Sequence, residues 1–216
     1  MNLFNKKNIS TNTFIEKLKE IKVIPVVKVN DTNDAINIAS SLLKADCNII
    51  EITYRTSNAS ECIKKVSSTF LNMIVGAGTV TNLSQAKDAI KNGAKFIVLP
   101  GIEKNVIKYC LRKKIFVIPG VSTPTEIITC INLKINLLKL FPCNMLGGIN
   151  ILKTYSAPFK NVTFIPTGGI NAQNVSEYLE QNNVTCVAGS WITDSKLIKN
   201  KDFEKIYQNA LQIKDL

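Results

Sequence analysis

The chain has 216 residues, 45% of them hydrophobic and 20% charged, with a formal net charge of +11 and not one histidine. That length suits one domain (1–216) near the lower end of what a (β/α)8 barrel needs, and the composition is that of an ordinary globular protein. The missing histidine excludes Ser-His-Asp hydrolases, most zinc enzymes and any other chemistry that uses imidazole as base, nucleophile or metal ligand.

In chain order, residues 1–10 are polar and lack the apolar run of a secretory signal. A helix is expected over about 11–21, placed to cover one end of the fold. Short Val/Ile-rich runs then recur at 23–29, 48–54, 73–79, 96–100, 116–120, 137–142, 163–169 and 184–190, each followed by a polar, helix-periodic stretch. Such runs read as parallel strands buried on both faces. Among the helices, 31–44 has an Asp N-cap, 82–92 ends at Gly93, and 201–213 is the last. Eight strand-then-helix units in unbroken alternation predict an α/β fold, a closed (β/α)8 TIM barrel with an additional N-terminal helix. An open doubly wound sheet is the alternative.

The six cysteines (Cys47, Cys62, Cys110, Cys130, Cys143 and Cys186) are dispersed, with no metal or redox spacing. Reduced thiols and a cytoplasmic location are expected, with no metal and no cofactor. No run is long enough for a membrane span, which takes roughly 18–20 apolar residues. The lysines are scattered, as at Lys17/Lys19/Lys22 and Lys113/Lys114, and no aromatic-interleaved basic motif accompanies them. A solvated surface that draws in anionic substrates is therefore preferred to a nucleic-acid partner.

Glycines and prolines gather where each strand gives way to its loop: Gly76-Ala-Gly78-Thr79, Pro100-Gly101, Pro119-Gly120, Phe141-Pro142, Gly168-Gly169 and Gly189-Ser190. Barrel chemistry is built at this C-terminal rim. Alternation puts Glu51, Thr53 and Arg55 on one side of their strand and Ile50, Ile52 and Tyr54 on the other. A carboxylate in mid-strand is costly unless it is paired or functional. Lys139 and Phe141 share a face opposite Leu138 and Leu140. Apolar enclosure disfavours a charged amine and leaves free amine to attack a carbonyl. The other reading of Lys139 is an ammonium paired with a carboxylate, perhaps Glu51. Lys28 is the rival nucleophile: pointing inward it would hold an anionic group, and pointing outward it is a surface lysine. The glycine-rich ends of the last two strands suit a phosphate.

These residues resemble the 2-keto-3-deoxy-6-phosphogluconate aldolase and 4-hydroxy-2-oxoglutarate aldolase family along nearly the whole chain. The segments that carry the likeness are Glu51-Ile-Thr-Tyr-Arg55-Thr56, Val75-Gly-Ala-Gly-Thr79-Val80, Ile118-Pro-Gly-Val-Ser122-Thr123, Lys139-Leu-Phe141-Pro142, Pro166-Thr-Gly168-Gly169-Ile170 and Gly189-Ser190-Trp191. The resemblance implies a metal-free class I aldol cleavage. Lys139 would form the imine and Glu51 would move protons. Arg55 and Thr79 would bind the carboxylate end, with Pro100 and Lys28 beside them, and Phe141 would wall the pyruvyl portion. Gly168, Gly169, Gly189 and Ser190 would hold the distal phosphate. A homotrimer acting on a small 2-keto acid phosphate is also implied. The chain departs from the family's usual pattern at Leu99, at Cys143-Asn144-Met145-Leu146 and at Ala188, positions around the site that bear on which aldehyde is accepted. Two other readings are a sister aldolase for the galactonate-derived or unphosphorylated substrate, and a non-catalytic barrel that binds sugar phosphates.

Overall fold

The computed structural model describes residues 11–216, so the reading of the first ten residues as lacking a signal lies outside the described residues. Helix α1 (Thr11–Ile21) buries Phe14 and Leu18 completely. The Phe14 ring stacks on Phe116 at 4.0 Å between centroids and lies 6.0 Å from Phe96. Those two residues open strands β4 (Phe96–Val98) and β5 (Phe116–Ile118), so α1 closes the end of the sheet where the strands begin. Full burial of Phe14 and of Leu18 each contributes roughly 1.5–3 kcal/mol, which accounts for the helix holding this place.

The remaining strands are β1 (Val23–Val27), β2 (Ile49–Thr53), β3 (Ile74–Gly78), β6 (Gly120–Val121), β7 (Leu137–Leu140), β8 (Thr163–Pro166) and β9 (Val187–Gly189). All pairings are parallel, in the orders β5-β4-β3-β2-β1-β9 and β6-β7-β8. Two features close these sheets into a ring. Bridges Phe164↔Val184 and Thr167↔Ala188 join β8 to the β9 segment. β5 and β6 are halves of one strand broken at Pro119, which has no N–H to donate while its carbonyl accepts from Lys139 N at 2.9 Å. The result is an eight-stranded (β/α)8 barrel with an added N-terminal helix; an open sheet would have left two edge strands with one neighbour each.

Local chemistry sets the helix ends. Asp31 caps α2 (Thr32–Lys44) by accepting from Asn33 N and Asp34 N. Asn82 caps α4 (Leu83–Lys91), and Thr123 with Glu126 forms a capping box on α6 (Pro124–Asn132). The other helices are α3 (Ala59–Thr69), α5 (Lys104–Lys113), α7 (Ile149–Ser156), α8 (Val175–Leu179), α9 (Ser195–Lys199) and α10 (Phe203–Leu211). The expected 201–213 helix is α10 plus a 3-10 turn at Gln212–Asp215, and α9 was not anticipated.

Most strands are shorter than their apolar runs. Thr79 turns out of the ladder at φ +54°, Gly168 and Gly169 do so at +93° and +82°, and Pro100 has no N–H to continue it. Thr79, Pro100, Gly168 and Gly169 therefore stand on loops beyond the strands, whereas Gly189, Glu51 and Lys139 remain within them.

Candidate active site

Glu51 and Lys139 meet across the barrel axis. Together with Ile24, Val98, Ile118, Ile165, Thr167 and Ala188 they line a space too narrow for a water molecule. Ile50, Ile52, Leu138 and Leu140 are fully buried and, by alternation, face the helices. Tyr54, on that outer side, donates its hydroxyl hydrogen to Asp88 of α4 at 2.9 Å. The division of each strand read from alternation is the one observed.

Glu51 is 1% exposed, and its Oε1 has no hydrogen-bond partner among the described residues. None of the ion pairs among those residues includes Glu51, Arg55 or Lys139. The structural ion pair weighed for Lys139 is thus not formed. Burial pushes the Glu51 carboxyl above the ordinary carboxylate range, and the positive charges of Lys139 and Arg55 pull part of the way back. The carboxyl fits because β3 presents Gly78 beside it: a Cβ there would lie 1.9 Å from Oε1. Lys139 is 7% exposed, in register with Gly120 and Ile165, and its Nζ stands 5.1 Å from the centroid of the Phe141 ring. An amine and a carboxyl, both buried and neither in an ion pair among the described residues, face one narrow space.

Above them, Arg55 is exposed and its Nε donates to Thr53 Oγ1 at 3.2 Å. The buried Thr53 hydroxyl donates in turn to Val27 O of β1 at 3.0 Å, which ties the guanidinium to the barrel wall. Sequence reasoning put Thr53 on the functional side without a task; the alternation that flagged Arg55 was the available signal. For Thr53→Val we expect the KM for an anionic substrate held by Arg55 to rise about tenfold with kcat nearly unchanged, because a hydrogen bond to a charged group contributes about 1.5–3 kcal/mol and this one acts on binding. Thr53→Ser should restore the wild-type KM. Steady-state kinetics on the two variants, with melting temperatures as a folding control, checks this.

Thr79 is half-buried at φ +54°, an unusual backbone state for a β-branched residue, and such strain is held where the surroundings over-determine it. Phe141 is 38% exposed at the rim, and a Cβ on Gly168 would touch its ring at 3.4 Å. Asn144 N donates to Gly168 O at 3.1 Å and Asn174 Nδ2 to Gly169 O at 3.0 Å, so the two glycines form a tethered turn. Ser190 is exposed. Gly189 is buried under the Trp191 indole, which a Cβ would overlap at 2.1 Å, so packing by itself demands glycine there. Pro100 is exposed on its loop, its carbonyl meeting Gly120, where a Cβ would lie 2.4 Å from that oxygen.

Lys28 does not share the enclosure of Lys139. It lies just past β1 and is exposed, as expected of the surface reading rather than of a rival nucleophile. Cys143 is fully buried and its thiol is pushed up to about 11 by desolvation, so a small buried side chain rather than a reactive thiolate stands beside the site. Of the other departures, Ala188 faces the axis. Leu99 is buried and, by alternation from Val98, turns away from it. Among the described residues no group of three or more acidic, Cys or His side chains could hold a metal, and no helix is long and apolar enough to cross a membrane.

Fold and site together define a (β/α)8 barrel with a buried amine and carboxyl where its strands end. Residues 14–209 match the model of the KDPG and KHG aldolase family. The chain is 35% identical over 204 residues to a 2-dehydro-3-deoxy-phosphogluconate aldolase of Treponema pallidum, covering 93% of this chain and 97% of that one. It superposes with a TM-score of 0.88 and 34% identity on the KDPG aldolase of Legionella pneumophila, with pyruvate captured at low pH as a covalent carbinolamine intermediate; 92% of this chain and 97% of that one are covered. The 2-keto-3-deoxy-6-phosphogluconate aldolase of Zymomonas mobilis, with 3-phosphoglycerate, gives 0.86 and 32%, covering 92% and 94%. This chain belongs to the KDPG and KHG aldolase family.

Proposed function

We propose that the chain is a class I aldolase, one barrel domain that cleaves 2-keto-3-deoxy-6-phosphogluconate to pyruvate and glyceraldehyde 3-phosphate through an imine on Lys139. The observation that carries this reading is the pair Lys139 and Glu51, buried at the barrel axis and in no ion pair among the described residues. The family membership and the carbinolamine formed by pyruvate in the Legionella relative support it.

The Lys139 amine adds to the C2 carbonyl, and the carbinolamine loses water to give a protonated imine. Glu51 takes the proton of the C4 hydroxyl as the C3–C4 bond breaks. The bonding pair flows to the imine nitrogen, leaving an enamine while the phosphorylated aldehyde departs. Glu51 then returns its proton to C3, and water releases pyruvate from the resulting imine. A carboxyl raised by burial suits both directions of transfer.

Arg55, fixed by Thr53, and Thr79 bind the substrate carboxylate, with Pro100 beside them. Phe141 walls the pyruvyl part, and the turn Gly168-Gly169 with Ser190 receives the distal phosphate. Lys28, exposed at the mouth, contributes attraction for the polyanionic substrate rather than contact chemistry. A homotrimer working in the cytoplasm on a small phosphorylated 2-keto acid, with neither metal nor nucleic acid, completes the reading.

Cleavage rates for 2-keto-3-deoxy-6-phosphogluconate, its galactonate epimer and 4-hydroxy-2-oxoglutarate, measured by pyruvate release, test the assignment. The expected order puts the first highest. A faster galactonate epimer or hydroxy-oxoglutarate would move the chain to a sister specificity, and binding without pyruvate release would make it a non-catalytic barrel.

A further inference from the structure

The lysine motif is followed by Pro142-Cys143-Asn144. Asn144 opens the 3-10 turn Asn144–Leu146. It is exposed, and its backbone N donates to Gly168 O at 3.1 Å, so it moves with the Gly168-Gly169 turn. Its side chain lies between two glycine turns. A Cβ built on Gly169 falls 2.4 Å from Asn144 Cβ and 3.0 Å from Nδ2, and one built on Gly148 falls 3.6 Å from Oδ1. The NH2 end therefore faces the Gly168-Gly169 turn and the carbonyl end faces Gly148. Neither end is hydrogen-bonded to any described residue, so the amide stands with both donors unspent.

We propose that Asn144 is a specificity-determining residue of this chain, whose Nδ2 donates to the terminal phosphate of the substrate at the Gly168-Gly169 turn. The inference rests on the reading of that turn as the phosphate end of the site. An amide offers two N–H donors where an ionised carboxylate offers only acceptors, and a carboxylate here would set like charge against the phosphate. The crowding at Gly169 adds a geometric condition. Only glycine at 169 leaves room for the Asn144 side chain, so the amide and the turn form one unit.

The test compares kcat/KM for 2-keto-3-deoxy-6-phosphogluconate and for unphosphorylated 2-keto-3-deoxygluconate in wild type, Asn144→Ala and Asn144→Asp. Two variants are used so that misfolding of one leaves the other to decide. Borohydride trapping of pyruvate, which does not reach the distal end, reports an intact imine site in each. The phosphorylated-to-unphosphorylated ratio is expected to fall about tenfold in Asn144→Ala. In the isosteric Asn144→Asp it should fall about a hundredfold, since a charge-assisted bond is lost and repulsion added. Ratios within twofold of wild type in both variants overturn the assignment of Asn144 and leave the aldolase reading standing. A wild type with no preference for the phosphorylated substrate overturns Asn144 and the phosphate turn together. A wild type that traps no pyruvate sinks the imine reading itself, and this inference with it.

Discussion

Lys139→Met is expected to abolish cleavage, by at least about 10³-fold in kcat, and to remove the borohydride-stable adduct that pyruvate leaves on the wild-type chain. The size of the effect follows from the geometry. Lys139 is the amine enclosed at the axis, opposite a carboxyl whose Oε1 has no hydrogen-bond partner among the described residues. A general base can be partly replaced by water, but a covalent nucleophile cannot. Methionine is close in volume and carries no charge to bury, so the fold should survive the exchange, which a melting curve will show. Lys139→Arg should be equally inactive, because the guanidinium stays charged and forms no imine. Peptide mass spectrometry of the trapped wild type should place the adduct on Lys139. Finding it on exposed Lys28 instead would transfer the nucleophile and undo the role given to the axial pair.

Glu51→Gln should lower kcat by about 10²- to 10⁴-fold, the usual contribution of a positioned acid–base group, while leaving pyruvate trapping measurable. The wild-type rate should rise with pH through a limb lying above the ordinary carboxylate range, because the ionised form takes the C4 proton and burial resists ionisation. That limb should vanish in Glu51→Gln. Stability carries the opposite sign. With its folded-state pKa raised, Glu51 holds its proton more tightly in the native chain than in the unfolded one. Native stability is then fully present below the ordinary Glu pKa and is lost as pH rises through the raised value. Glu51→Gln removes that loss, so the variant should melt above the wild type at neutral pH, with the gap closing on acidification. A gap that widens in acid, or an activity limb unchanged in Glu51→Gln, would mean that another group titrates in the site.

Much of the barrel was legible in the order of residues, because the barrel strands are short and mostly apolar and several are closed by a glycine or proline that interrupts the ladder. The positions of Glu51 and Lys139 followed from alternation, as a strand buried on two faces must still send every second side chain to the axis. Lys28 resisted that reading: the same alternation applies, yet one residue beyond β1 the chain is already at the rim, and only the fold shows that its side chain reaches solvent. Gly189 looked like part of an anion cradle, and the structure places an indole against it.

What the sequence by itself determined is therefore the alternating strand and helix plan, the capped helix starts, and the face of its strand on which Glu51 and Lys139 each stand, since these depend on neighbours within a few positions along the chain. The tertiary structure alone decided that Glu51 and Lys139 line one axial space, that Thr53 fastens Arg55 to β1, and that Asn144 lies against Gly169. Each of these joins residues from different strands or loops, and their separation in space is set by closing the ring through the broken strand at Pro119 and the bridges between β8 and β9.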